Sequence, residues 1–243
     1  MKVDWPVANP GRCAARGAIR VLIADDHEIV RRGIGALLVT EPDIEVVGLV
    51  RDGREAIAEA QRLRPDVALV DLAMPIMDGL EATRCIVSCL PQVRILVLAC
   101  FTDDDKLLPA IQAGALGYLL KDAGPEELVQ AIHRVCRAES FLQPTIARKL
   151  LDEIFYSLER GKGANPLTDR ELLVLRLMAQ GLSGWEIAER LTVNETVIRT
   201  HANSILAKCR LRGLTWGVPH APSGEALKER AELALGVPVL IAA

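Results

Sequence analysis

Four residues stand out as a set that could do chemistry: Asp25, Asp26, Asp71 and Lys121. The two adjacent aspartates directly follow the apolar run Val21-Leu22-Ile23-Ala24. Asp71 follows Val67-Ala68-Leu69-Val70, and Lys121 follows Leu116-Gly117-Tyr118-Leu119-Leu120. If each run is a strand of one parallel sheet, all four residues lie at its C-terminal edge, where such sheets place their chemistry. Three carboxylates in one place repel one another unless a cation compensates. An all-oxygen donor set that keeps water suits a hard cation such as Mg2+. A carboxylate beside that cation and a lysine can attack phosphorus, because both positive charges neutralise phosphoryl oxygens.

The elements that must hold these residues are legible in outline. Two further apolar runs, Ile44-Glu45-Val46-Val47-Gly48-Leu49-Val50 and Val93-Arg94-Ile95-Leu96-Val97-Leu98, make five. They are nearly continuous and rich in β-branched residues, as strands covered on both faces must be. Helix-length segments alternate with them at 27–39, 53–63, 79–89, 104–113 and 125–138. This alternation predicts an α/β doubly wound parallel sheet of five strands and five helices.

Residues 167–212 predict a small all-α domain. Thr168-Asp169-Arg170-Glu171 and Ser183-Gly184-Trp185-Glu186 both have the form of a capping box, and Asn194 is a cap for a third helix over 195–208. Such starts 15 residues apart predict a helix-turn-helix unit. The divisions expected are a flexible N-terminal extension (1–18), the α/β domain (19–140), a linker helix and loop (141–166), the helix-turn-helix domain (167–212) and a C-terminal tail (213–243). The tail's only helical pattern is over about 225–235.

The 243 residues are half apolar and a quarter charged, with net charge -3, which excludes a disordered chain. The charge is uneven. Residues 18–140 hold 13 basic and 20 acidic residues, whereas 167–212 hold seven and five. Two modules with different partners fit that contrast. Six scattered cysteines with no Cys-x-x-Cys pair predict reduced thiols and a cytoplasmic protein. No apolar run is long enough to span a membrane, and the N-terminus lacks a signal-peptide core. An enzyme is disfavoured. There is no Gly-rich phosphate loop of the Walker type, and Ala73 stands where a phosphatase of similar topology would carry its acid.

The segments Val21 to His27, Val70 to Gly79 and Gly114 to Asp122 together resemble the flavodoxin-like receiver domain of two-component response regulators. The resemblance implies that Asp71 is the phosphoacceptor, served by a sensor histidine kinase. It also implies that Asp26, Asp71 and the Ala73 carbonyl hold Mg2+, with Asp25 helping through water, and that Lys121 pairs with the phosphoryl group. One position departs. Receivers carry Thr or Ser after the fourth strand, and here the spacing puts Ala99 there. The hydroxyl that would draw the loop inward, with Tyr118 swinging in behind, is missing, which predicts weakened switching.

Residues 167–211 resemble the LuxR-type helix-turn-helix that follows receivers in the NarL/FixJ family, notably in Glu186-Ile187-Ala188-Glu189-Arg190-Leu191. The resemblance implies a transcriptional regulator that binds double-stranded promoter DNA, as a homodimer when active. Its recognition helix would be 195–208, with Arg199, Thr200 and Asn203 facing DNA. Arg suits guanine or phosphate and Asn suits adenine. Val197, Ile198, Ala202, Ile205 and Leu206 remain to fill the core. Lys208, Arg210 and Arg212 are placed to touch phosphates. The family's Lys-Thr pair at the start of that helix is Thr196-Val197 here, and the fourth helix is not recognisable. The alternative reading is a receiver-based protein-interaction module, or a phosphorylation-independent regulator with little DNA binding.

Overall fold

The computed structural model describes residues 17–100, 106–159 and 167–212. The expected N-terminal extension, the loop 160–166 and the tail with its 225–235 helix lie largely or wholly outside them.

The expected α/β alternation is present. Strands β1 (Ile19–Ala24), β2 (Ile44–Val50), β3 (Val67–Asp71), β4 (Arg94–Ala99) and β5 (Gly117–Leu120) alternate with α1 (Glu28–Leu38), α2 (Gly53–Leu63), α3 (Gly79–Cys89), α4 (Leu107–Ala113) and α5 (Pro125–Cys136). All pairings are parallel, in the order β2-β1-β3-β4-β5 with a sixth strand, β6 (Phe141–Leu142), beside β5. That strand falls within the stretch expected to be linker. Two residues carry no periodicity to read, and pairing with β5 alone defines it.

Side chains alternate between the two faces of the sheet, as a period of two demands. Val21, Ile23, Leu69, Leu96 and Leu98 point toward Leu38 of α1 and Leu128, Ile132 and Val135 of α5. Leu22, Ala24, Val70, Ile95 and Val97 point the other way, onto Ile57 of α2, Ile86 of α3 and Ile111 of α4. Both faces are covered, which explains why the strands read as unbroken apolar runs.

Gly79 opens α3 directly behind β3. A Cβ at this position would overlap the main-chain carbonyl oxygen of Asp71. Backbone cannot yield as a flexible side chain would. Gly79→Ala should therefore destabilise the protein by about 3 kcal/mol or more, read as a lowered urea midpoint at unchanged slope.

The remaining helices are α6 (Pro144–Glu159), α7 (Asp169–Ala179), α8 (Gly184–Arg190) and α9 (Glu195–Arg212). Both expected capping boxes are formed, Thr168 with Glu171 and Ser183 with Glu186. Gly181 ends the first of these turns at φ 91°. Helix α9 runs four residues further than expected.

The helical part does not stand apart from the sheet. Helix α9 packs on α4, α7 and α8, and α6 packs on α4 and α7. Ile111 of α4, Leu150 and Ile154 of α6, Val174 of α7 and Ile205 and Leu206 of α9 belong to one continuous apolar core.

Val197 departs from its expected place. It is 40% exposed, while Ile198, Ala202, Ile205 and Leu206 are buried. No described helix is long and apolar enough to cross a membrane.

Candidate functional site

The ends of three strands bring the four chemistry-bearing residues together. Asp25 and Asp71 are almost fully buried, at 0% and 1% exposure, and Asp26 is partly covered. Lys121 Nζ lies 2.9 Å from Asp25 Oδ2 and 2.7 Å from Asp71 Oδ2. The Lys121 amide donates to the Ala99 carbonyl (2.8 Å), which ties the lysine to the end of β4. The Ala73 amide donates to Asp71 Oδ1 at 3.3 Å. On the far side, Arg31 donates to the Asp25 carbonyl at 2.6 Å.

The electrostatics are those of a site short of positive charge. Burial pushes the Asp71 carboxyl above its ordinary range. The Lys121 ammonium pulls it down, and the Asp25 charge raises it again. Burial alone would lower the Lys121 ammonium, but the hydrogen-bonding and charge of Asp25 and Asp71 outweigh it, and the net shift is upward.

Asp25 Oδ2, Asp26 Oδ1 and Asp71 Oδ2 are shut off from solvent without a well-directed hydrogen bond. Lys121 lies within ion-pair distance of the first and third, and His27 Nδ1 is 2.7 Å from the second. Three buried anionic oxygens grouped this closely around one ammonium fit a hard divalent cation.

Ala99 of β4 and Tyr118 of the neighbouring β5 both lie in the apolar core behind this edge. Ala99 is fully buried and Tyr118 is 2% exposed, within the same apolar cluster. The aromatic side chain is already inside, so the expected inward swing has no exposed starting point here.

The expected DNA-facing residues of α9 lie on one side of it, but that side is not all open to solvent. Arg199 Nη1 donates to Glu139 Oε1 at 3.0 Å. Asn203 Oδ1 accepts from the Ser140 amide (2.7 Å) and the Ser140 hydroxyl (2.8 Å), while its Nδ2 donates to the Ala138 carbonyl (3.0 Å). The turn that receives them follows α5, and Ala138 adopts a left-handed φ of 60° there. Thr200 is exposed, its hydroxyl donating to the Thr196 carbonyl at 2.9 Å.

At the other end of α9, Arg210 donates to the carbonyls of Ile111 (3.2 Å), Gly114 (2.8 Å) and Ala115 (2.5 Å), at the C-terminal end of α4. Burial, with a contribution from Arg94, lowers the Arg210 guanidinium to about 10. Carbonyls at a helix C-terminus carry partial negative charge, which suits a cation.

Lys208, expected at phosphates, pairs instead with Glu171 inside the helical module, at 2.6 Å. Ser204 Oγ donates to the same carboxylate, as do the amide and hydroxyl of Thr168. Burial raises the Glu171 carboxyl, but Lys208, Ser204 and Thr168 outweigh it and hold it down at about 2. A depressed carboxyl stabilises the fold above its unfolded value near 4.5, and that stability is lost as pH falls toward 2. Replacing it, as in Glu171→Gln, should cost on the order of 3 kcal/mol at pH 7 and progressively less below pH 4.5. Urea titrations of both proteins at pH 7 and pH 3 measure this.

Glu139 and Ser140 are docking residues that the sequence did not single out, and Arg210, expected at phosphates, docks on carbonyls of the receiver instead. Their partners lie 60 to 99 positions away in the chain, and no local pattern encodes such pairings.

The two modules match two known domain families. Residues 21–133 match the response regulator receiver domain, and residues 165–218 match the bacterial regulatory proteins of the luxR family. The chain is 43% identical over 203 residues to the transcriptional regulatory protein LiaR of Bacillus subtilis, covering 84% of this chain and 96% of LiaR. Among solved structures it resembles the response regulator ChrA of a heme-sensing two-component system (30% identity, TM-score 0.50, covering 89% of this chain and 99% of ChrA). It also resembles the response regulator RcsB in its DNA complex (28% identity, TM-score 0.52, covering 79% of this chain and 92% of RcsB). The chain belongs to the NarL/FixJ family of two-component response regulators, with a receiver domain followed by a LuxR-type DNA-binding domain.

Proposed function

We propose that Asp71 takes a phosphoryl group from the phosphohistidine of a sensor kinase, and that the transfer governs access of α9 to promoter DNA. The observation that carries this reading is Lys121 Nζ lying within 2.9 Å of both Asp25 and Asp71 at the sheet edge, on a chain whose second module is of the LuxR type. A carboxylate oxygen of Asp71 attacks phosphorus, the phosphorus–nitrogen bond of the donor breaks, and the departing imidazole nitrogen takes up a proton. Lys121 stands over Asp71 Oδ2, where it neutralises phosphoryl oxygens. Asp26, Asp71 and the Ala73 carbonyl would hold Mg2+, with Asp25 helping through water, and the ion would supply charge neutralisation and orientation. Receiver 19–140, linker 141–166 and DNA-binding module 167–212 are the working divisions, and the site of action is the cytoplasm.

In the second module, Arg199, Thr200 and Asn203 are the base-reading group. Arg199 and Asn203 are held by Glu139, Ser140 and Ala138, so the described arrangement is the closed one, and DNA must displace those partners. Lys208 supports the fold through Glu171, and reaches phosphate only if that pair opens. Opening also frees a surface through which two copies can act on DNA together.

The test uses the full chain and a duplex selected from a random pool. Arg199→Ala alone would disturb both docking and DNA contacts. In a Glu139→Ala background it isolates the DNA contact, and should weaken binding by about 1–3 kcal/mol with relaxed preference at one base pair. Unchanged affinity in that background removes Arg199 from the DNA surface.

Ala99 limits the response. The missing hydroxyl deletes one charge-assisted hydrogen bond, worth about 1.5–3 kcal/mol. With Tyr118 already inside, beryllofluoride should change the DNA affinity of the parent protein only modestly. Ala99→Thr should enlarge the beryllofluoride effect about 10-fold or more. A large effect in the parent that the substitution does not increase would contradict this account of the position.

A further inference from the structure

We infer that Arg94 and Arg210 form a binding site for a tetrahedral oxyanion, either inorganic phosphate or the phosphate group of a nucleotide, which bridges the receiver to α9. The effect on DNA derived below rests on the closed arrangement of the proposed function, whereas the anion site itself does not.

Arg94 opens β4 and pairs with Val67, the first residue of β3, whereas Asp71 is the last, so the site lies at the opposite edge of the sheet from the phosphoacceptor. Arg94 Nη1 donates to the carbonyls of Pro91 (2.9 Å) and Gln92 (3.3 Å). Its Nε is shut off from solvent and has no hydrogen-bond partner. Arg210 reaches the same edge from α9, through its bonds to Ile111, Gly114 and Ala115. The next amide, that of Leu116, donates to the Ile95 carbonyl at 2.9 Å, so the turn that Arg210 grips lies beside the first residues of β4. Among the described residues neither guanidinium is ion-paired. The other end of α9 is the contrast, because Arg199 docks there on a carboxylate.

Both arginines are half-buried. Burial lowers each guanidinium, and the positive charge of Arg94 lowers Arg210 further. Two like charges kept together and partly away from water repel each other unless an anion offsets them. Arg94 Nη2 and Arg210 Nη1 make no hydrogen bond to the described residues, so each fork keeps a donor for an incoming oxygen. Guanidinium forks match phosphate oxygens in spacing and charge. Arg94 belongs to the receiver and Arg210 to α9, so an oxyanion that engages both binds the closed arrangement alone. By linkage it opposes DNA.

Calorimetric titration of the full-length protein with inorganic phosphate, and separately with ATP, tests this on the parent, Arg94→Gln and Arg210→Gln. Mg2+ is left out, so that Asp71 offers the anion no bound cation, and chloride at matched ionic strength is the control. The parent should bind at least one of the two probes saturably, and each substitution should weaken that binding by about 10-fold or more. Binding of phosphate assigns the site to the free ion, and binding of ATP alone assigns it to a nucleotide. Arg94→Gln should still be labelled at Asp71 by acetyl phosphate, which shows an intact receiver; if it is not, Arg210→Gln carries the comparison. Fluorescence anisotropy on the selected duplex reads the coupling. The bound anion should lower the DNA affinity of the parent at least about 5-fold relative to chloride, and Arg94→Gln should respond to both salts alike. No saturable heat with either probe, or binding undiminished in the variants, overturns the inference. An anion that binds but leaves DNA affinity at its chloride value overturns the bridging role. If no protein binds the duplex, Glu139→Ala included, the reading of α9 falls instead, and the calorimetry still decides the site.

Discussion

Asp71→Asn protein incubated with acetyl phosphate and Mg2+ is expected to gain no mass, under conditions in which the parent gains about 80 Da per phosphoryl group. Asparagine keeps the shape of the side chain and can still accept from the Ala73 amide. It removes the negative charge that Lys121 faces at 2.7 Å and the anionic oxygen that would attack phosphorus. The effect should be all or nothing, because the neighbouring carboxylates serve other purposes. Asp25 already accepts from the His27 amide and Asp26 is paired with the His27 ring. Intact mass spectrometry reads the outcome directly. Labelling that survives in Asp71→Asn would assign the phosphoacceptor elsewhere.

Glu139→Ala is expected to raise the DNA affinity of the unphosphorylated protein by about 10-fold or more. The carboxylate holds Arg199 at 3.0 Å and also faces Arg134, at 4.0 Å. A hydrogen bond to a charged group contributes about 1.5–3 kcal/mol, and apparent affinity scales with the fraction of molecules whose binding surface is free. The substitution lies outside the DNA-binding module, so a gain in affinity reports opening rather than a new DNA contact. Fluorescence anisotropy on a selected duplex, with and without beryllofluoride, measures it. If Glu139→Ala binds as weakly as the parent, the closed arrangement is held elsewhere, with Arg210 on the α4 carbonyls the next contact to remove.

The parts legible in the sequence were those encoded locally. Unbroken β-branched runs gave five strands, because strands covered on both faces must be apolar throughout. The residues following those runs, Asp25, Asp26, Asp71 and Lys121, were brought together by parallel topology alone. Thr168 with Glu171 and Ser183 with Glu186 marked two helix starts at three-residue spacing, and both boxes form.

What escaped was encoded at a distance. Strand β6 exists because β5 offers an edge. The engagement of Lys208 with Glu171 joins residues 37 positions apart. The face of α9 carrying Arg199 and Asn203 looked free because a helix read alone gives no sign of what lies against it. Glu139 and Ser140 carry no local pattern that marks them as partners of α9.

The continuous core through α4, α6, α7 and α9 has a consequence for how the chain comes apart. A helix-turn-helix of this size has little interior of its own, and small units are marginal when isolated. In the closed state part of its stability comes from Ile111 of the receiver and from Leu150 and Ile154 of α6, which share one apolar core with Ile205. Heat or denaturant should therefore meet one cooperative unit rather than two. Any ligand that favours release of α9 divides that unit, and by linkage the free energy DNA spends on opening is returned as a bias on the chemistry at Asp71.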